Sequence, residues 1–253
     1  MRALPVLRTV AVCSGVAAAA GIAGYALLAR RLAPEFPDIA LHAGLDLLSR
    51  RWRALAIGAH PDDLEFFIGG TLSLLSENHT EVTMAVLSCG GRGGRVANIG
   101  EIRAKEQAAS AAVLGAQLRQ FDLRDGALAS DDALRPTLAE LWRELEPDLV
   151  FACDPRGPVA GLRNPDHVAL GQAVLDVARL AVTGARLYLY GSPRPNVLVD
   201  TTEVIQEKVS ALKCHRSQLR APDRLISPVV RRVGRLARSR TPAMYTETLY
   251  RLI

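Results

Sequence analysis

Apolar and polar positions follow two rhythms along the chain. Short apolar runs such as "RALAIGA" (53–59), "EVTMAVLS" (81–88), "DLVFAC" (148–153), "RLYLYG" (186–191) and "NVLVD" (196–200) predict strands. Between them, "IGEIRAKEQAASAAVLG" (99–115), "DALRPTLAELWRELE" (132–146) and "TTEVIQEKVSALKCHRSQL" (201–219) carry helical spacing. Strands that alternate with helices predict an α/β fold, a Rossmann-like and mainly parallel sheet flanked by helices. Ligands of such sheets gather outside the carboxyl ends of the strands.

The start of the chain breaks this rhythm. Thr9 to Ala29 carry no charge over 21 residues, enough as a helix to span a hydrocarbon core of roughly 30 Å. This predicts a transmembrane helix ahead of the sheet, hence a single-pass membrane protein. Arg2 and Arg8 before an apolar stretch with small residues also fit a cleaved signal peptide. Residues 32–51, with Pro34 and Pro37, read as a linker and lead-in helix. The expected organisation is therefore an anchor over 1–31, a linker over 32–51 and one folded domain over 52–253. Cys89, Cys153 and Cys214 show no CxxC pairing, and Arg50, Arg51 and Arg53 follow the span, which favours a cytoplasmic domain. The formal charge of +5 is too diffuse to point to nucleic acid. Residues 220–240 concentrate seven arginines against one acid, a face for anionic headgroups or a phosphate-bearing substrate.

Chemistry concentrates in "AHPDDLEFFIGG" (59–70), directly after the first strand. Pro61 holds His60 extended, so the chain leaves the strand there and enters a helix near Asp62. His60, Asp62 and Asp63 then crowd one rim of the sheet. Imidazole nitrogen and carboxylate oxygen suit a borderline divalent ion such as zinc, whose catalytic sites use three protein ligands. The third candidate is His167 in "NPDHVALGQAV", after the "DLVFAC" strand and in the first turn of a helix begun by Pro165. A helix N-terminus favours the neutral, metal-binding imidazole. With His60, Asp63 and His167 as ligands, Asp62 is a spare carboxylate able to take a proton from metal-activated water, the logic of metal-assisted hydrolysis. Each residue also has a plainer role: Asp62 as an N-cap, Asp166 as a first-turn acid, each histidine as a surface or core residue. His42, His79 and His215 have no acidic neighbours in sequence and read as non-ligands. The loop "CGGRGGR" (89–95) lacks the order of a P-loop and reads as a flexible rim, with Arg92 and Arg95 available to an acidic substrate group.

From about Arg53 onward the chain resembles the LmbE-like or PIG-L-like metal-dependent de-N-acetylases. The resemblance rests on "AHPDDLEFFIGGTL" with Glu65, then "SCGGRGG", "RAKE", the "DG" at Asp125, "NPDH", "VDTTEVIQEKVSALKCHRSQ" and "YTETLYRL". It implies a Zn2+ ion, with Fe2+ as the alternative, held by His60, Asp63 and His167, and Asp62 as general base. It also implies contacts from Arg103 and Asp125 to sugar hydroxyls. The substrate it implies is an N-acetylglucosamine-type amino sugar, linked to a lipid, an inositol or a glycopeptide. One position departs: Asn164 stands where many members carry a histidine thought to stabilise the oxyanion and protonate the leaving amine. Asparagine still donates a hydrogen bond but delivers no proton. The rivals are a metal-retaining carbohydrate-binding protein without turnover and a zinc amidase for another acyl group.

Overall fold

The protein is described by a computed structural model over residues 46–94, 96–157, 164–181, 184–219, 226–227, 230 and 243–252. The first two predicted strands form as β1 (Arg53–Gly58) and β2 (Glu81–Val86), each with one exposed first residue followed by five buried ones. That continuous apolar run is the mark of strands covered on both faces. Helix α1 (Asp63–Glu77) joins them, and α2 (Ile99–Val113) leads to β3 (Gln117–Gln120). Next come α3 (Leu134–Leu145), β4 (Leu149–Cys153), α4 (Pro165–Leu180) and β5 (Arg186–Tyr190). The chain closes with β6 (Val197–Asp200), α5 (Ile205–Cys214) and β7 (Thr246–Arg251).

The sheet has seven strands in the order β3-β2-β1-β4-β5-β7-β6. β3, β2, β1, β4 and β5 run parallel, while β7 lies antiparallel between β5 and β6. The sheet is therefore mixed, mainly parallel at its centre. The strand order reverses between β1 and β4, which opens a crevice beyond their carboxyl ends. Helices pack on apolar stripes: α3 buries Leu134, Leu138, Leu141 and Trp142, one turn apart or nearly so. A second, smaller cluster joins Ile205, Val209 and Leu212 of α5 to Leu219, Ile226, Val230 and Tyr245, with Phe66 of α1 against it. This cluster brings the end of α5 under the start of α1.

The single-pass membrane placement requires correction. Among the described residues no helix is long and apolar enough to cross a membrane. The longest, α4, has 16 residues, short of the roughly 20 that a span needs. Residues 9–29, on which the anchor rested, lie outside the described residues, as do Arg95 and most of 220–240. The predicted helix over 201–219 is shorter than its pattern, ending at Cys214 before a turn through 215–219.

Candidate metal centre

β1 delivers the chain to His60, and the turn that follows is held by Asp63. Its Oδ2 accepts the backbone N–H groups of Ala59 at 3.1 Å and His60 at 2.9 Å, tying the helix start back to the strand end. Asp62, between them, adopts φ 88°, ψ −16°, in the left-handed region. A residue with a Cβ pays of order 1–2 kcal/mol to sit there, so its surroundings must impose it. It occupies the N-cap position but its side chain caps nothing, which leaves the carboxylate for another task. That side chain is 29% exposed, whereas Asp63 beside it is buried.

Across the crevice, α4 presents His167. Asn164 Oδ1 caps this helix by accepting the Asp166 N–H at 2.9 Å, with Pro165 behind it. His167 Nε2 reaches Asp63 Oδ2 at 3.1 Å, and His60 Nδ1 lies 3.6 Å from the same oxygen. The two rings stand 5.4 Å apart. His60, Asp63 and His167 thus offer one ligand atom each within 4.8 Å of one another. His60 Nε2, on the far edge of the ring, meets Asp166 Oδ2 at 3.0 Å and Asp125 Oδ1 at 3.2 Å. Those acids are fixed in turn, Asp166 by the N–H groups of Gly126 and Leu128, and Asp125 by that of Arg92. An imidazole whose rear N–H is claimed by carboxylates has its other nitrogen aimed and made more basic, the usual support of a metal-ligating histidine.

The electrostatics ask for a cation. Burial would raise the Asp63 carboxyl, but His167 and His60 outweigh it and hold it well below the usual range. Burial would likewise lower the His60 imidazole, yet Asp125, Asp166 and Asp63 hold it well above its ordinary value. Burial raises Asp62, against the opposing pull of Arg103 and His215. His167 Nε2 is buried and makes no well-formed hydrogen bond among the described residues. A buried imidazole nitrogen facing a carboxylate, with a second imidazole alongside, is the donor set of a borderline divalent metal. The residues present therefore fit the ion.

Arg103 sits beneath the motif. It is 1% exposed and donates to Pro61 O at 2.6 Å and Gly90 O at 3.0 Å, with Nη2 3.6 Å from Asp62 Oδ2. A Cβ at Gly90 or Gly93 would collide with its guanidinium, so the "GGRGG" glycines seat Arg103. The loop read as a flexible rim is the lid over this arginine. Asp125 lies against His60 with its side chain 10% exposed. His215 also needs correction. It has an acidic partner, Glu65, whose Oε1 lies 3.5 Å from His215 Nε2, and both side chains are fully buried. Burial would raise the Glu65 carboxyl, but His215 and Ser110 hold it below its usual range. An acid set between Leu64 and Phe66 in an apolar helix start was the one sequence sign of this pair.

This geometry sets a His/Asp group able to hold a metal ion at the carboxyl ends of a mixed, mainly parallel α/β sheet. The family model described as "GlcNAc-PI de-N-acetylase" (PIG-L) matches residues 55–178. A Bacillus cereus protein described as "Probable N-acetyl-alpha-D-glucosaminyl L-malate deacetylase 2" is 30% identical over 193 residues, covering 66% of this chain and 84% of its own length. The 4-oxalmesaconate hydratase of Pseudomonas putida is 25% identical over 193 residues, 65% of this chain and 73% of its own. The solved N,N'-diacetylchitobiose deacetylase of Pyrococcus horikoshii superposes with a TM-score of 0.70 at 26% identity, covering 91% of each chain. The chain belongs to the PIG-L or LmbE-like deacetylase family, and its class is that of hydrolytic de-N-acetylases.

Proposed function

We propose that this enzyme removes the acetyl group of an N-acetylated amino sugar, using Zn2+ held by His60, Asp63 and His167. The observation that carries the reading is the convergence of two imidazoles on Asp63 with a partly exposed carboxylate, Asp62, next to them. When bound, the ion lowers the pKa of water and polarises the amide carbonyl. The chain's own residues do the rest. Asp62 Oδ takes the proton of the attacking water and returns it to the leaving nitrogen, since Asn164 holds none to give. Asn164 Oδ1 is committed to the Asp166 N–H, which leaves its Nδ2 group as a donor toward the oxyanion. Asp125 and Asp166 orient His60 from behind, and Asp125 also stands near enough to the crevice to meet a sugar hydroxyl. Arg103 acts on substrate through Asp62 and Pro61. The substrates named for relatives, diacetylchitobiose and N-acetylglucosaminyl malate, set the class: a small N-acetylglucosamine derivative.

The test is amine release from diacetylchitobiose, N-acetylglucosaminyl malate and an inositol-linked N-acetylglucosamine, with added zinc, after chelation, and with Asp62→Asn. Release that stops on chelation, and falls by about 10²- to 10⁴-fold in Asp62→Asn with metal content unchanged, is expected. Silence on all three with metal bound overturns the reading. Hydration of an unsaturated dicarboxylate in its place would put the chain with the hydratase relative, and release of a different acyl group would make it an amidase.

A further inference from the structure

We propose that Gln107 is a positioning residue for Asp62, holding its backbone in the left-handed conformation that turns the carboxylate toward the metal face. The inference rests on the assignment of Asp62 as the base. Gln107 lies on α2 and is fully buried, so it touches neither substrate nor metal. Its Oε1 accepts the Asp62 N–H at 3.1 Å. Its Nε2 donates to Glu65 Oε1 at 2.6 Å, and Ser110 Oγ donates to the same oxygen at 2.7 Å. A carboxylate only accepts, so Glu65 dictates which way the Gln107 amide points, and the oxygen is left facing Asp62. His215, at the turn after α5, closes the network behind Glu65.

Two helices and the turn after α5 thus build one network behind this backbone N–H. Other bonds hold the turn: Asp63 Oδ2 on the Ala59 and His60 N–H groups, the Asp63 N–H on His60 O, the Phe66 N–H on Asp62 O at 3.0 Å and Arg103 on Pro61 O. None of these meets the Asp62 N–H, whose acceptor among the described residues is Gln107. Without that acceptor, residue 62 gains by relaxing to negative φ and finding another partner, because strained backbone persists only where its surroundings over-determine it. Relaxation swings the carboxylate away while His60 and Asp63, held by bonds of their own, and His167, carried on α4, keep their places.

The full-length chain is examined as Gln107→Met, which removes the acceptor at similar volume, and as the exchanged pair Glu65→Gln with Gln107→Glu. In the pair, the carboxylate introduced at position 107 accepts both the Asp62 N–H and the amide introduced at 65. We expect Gln107→Met to lower kcat by about tenfold to a hundredfold, with KM and metal content unchanged, and the exchanged pair to recover most of it. A crystal structure of Gln107→Met should show residue 62 out of the left-handed region. Wild-type kcat with φ of residue 62 still near +88° overturns the proposal, as does an exchanged pair no faster than Gln107→Met. If the wild-type chain deacetylates nothing, the assignment of Asp62 falls, and the backbone at 62 in Gln107→Met alone decides this one. Should Gln107→Met fail to fold, the exchanged pair decides: kcat within about threefold of wild type supports the proposal and a larger loss overturns it.

Discussion

Two buried carboxylates govern α1, one reaching its mid-helix kink from β7 and one standing in its own first turn, and their surroundings differ. Glu247, from β7, meets the helix where it kinks at Ile68 (φ −135°, ψ 17°). The kink frees the N–H groups of Gly70 and Thr71, and Glu247 accepts them at 2.8 and 2.7 Å, together with the Thr71 hydroxyl at 2.6 Å. Lys208 pairs with the same carboxylate and donates to the freed Phe66 carbonyl at 2.9 Å. Both freed N–H groups and the Phe66 carbonyl are thereby answered. Glu65, in the first turn, crowds its bonds onto Oε1, while Oε2 and both ring nitrogens of His215 lack a hydrogen-bond partner among the described residues. A saturated network fixes the fold, whereas a partly satisfied one leaves its members free to respond to a neighbour. The second lies directly behind Asp62.

The largest effect on stability is expected at the saturated site. Glu247→Ala leaves the Lys208 ammonium, 8% exposed, without its counter-charge, and a broken buried pair costs about 3–5 kcal/mol. Denaturant unfolding should show this loss while kcat of the folded enzyme holds. Glu65→Ala should do the reverse, with a smaller loss of about 1–3 kcal/mol and a clear fall in kcat. A kcat that falls in Glu247→Ala at unchanged stability would erase the distinction between the two sites.

Gly70→Ala probes the same kink by size. An added Cβ would lie 2.7 Å from both Cβ and Cγ2 of Thr201 and 3.1 Å from Glu247 Oε1, closer than real contacts allow. The cost of such overpacking is about 1–3 kcal/mol, read as a lowered midpoint of unfolding with the metal site intact. This close approach is the physical content of the Gly-Gly-Thr signature after the acidic motif.

The candidate site was legible in the sequence because it is local. His60 to Asp63 follow a strand end, and His167 follows a second strand, so the carboxyl-end rule alone brings them together. The mainly parallel centre of the sheet was legible for the same reason: β1, β2, β4 and β5 are near-continuous apolar runs. β3 was not, since Gln117–Gln120 is a four-residue edge strand of alternating exposed and half-buried positions with one apolar residue, Leu118. Nor was β7, whose Thr246 and Glu247 look solvated until α1 and Lys208 are placed against them. Pairings between residues distant in the chain, Glu65 with His215 and Gln107 with Asp62, leave no periodic trace. For that reason His215 looked unpartnered, and Arg103, expected at a sugar hydroxyl, is instead buried beneath the motif.

The smallest predicted effect tests whether the Glu65 and His215 pair responds to its environment as an unsaturated network should. Burial lowers the His215 imidazole, but Glu65 outweighs it and holds the pKa above the ordinary 6.5. A group whose pKa rises on folding stabilises the fold fully below its unfolded value and loses that contribution as pH climbs through the folded one. Glu65, held below its ordinary 4.5, contributes above that value and loses the contribution as pH falls. The pair is therefore strongest between these limits and weakens above pH 6.5. Comparing Tm of wild type with His215→Gln should show a gap that is widest near pH 6 and shrinks toward pH 9. For a chain of this size each 1 kcal/mol moves Tm by about 2–4 °C, so the change is measurable by scanning calorimetry. The Lys208 and Glu247 pair, which contains no imidazole, supplies the control: Lys208→Met should open a gap that stays constant over the same range. A constant gap for His215→Gln as well would mean that His215 keeps one charge state throughout and that the two carboxylates are held alike.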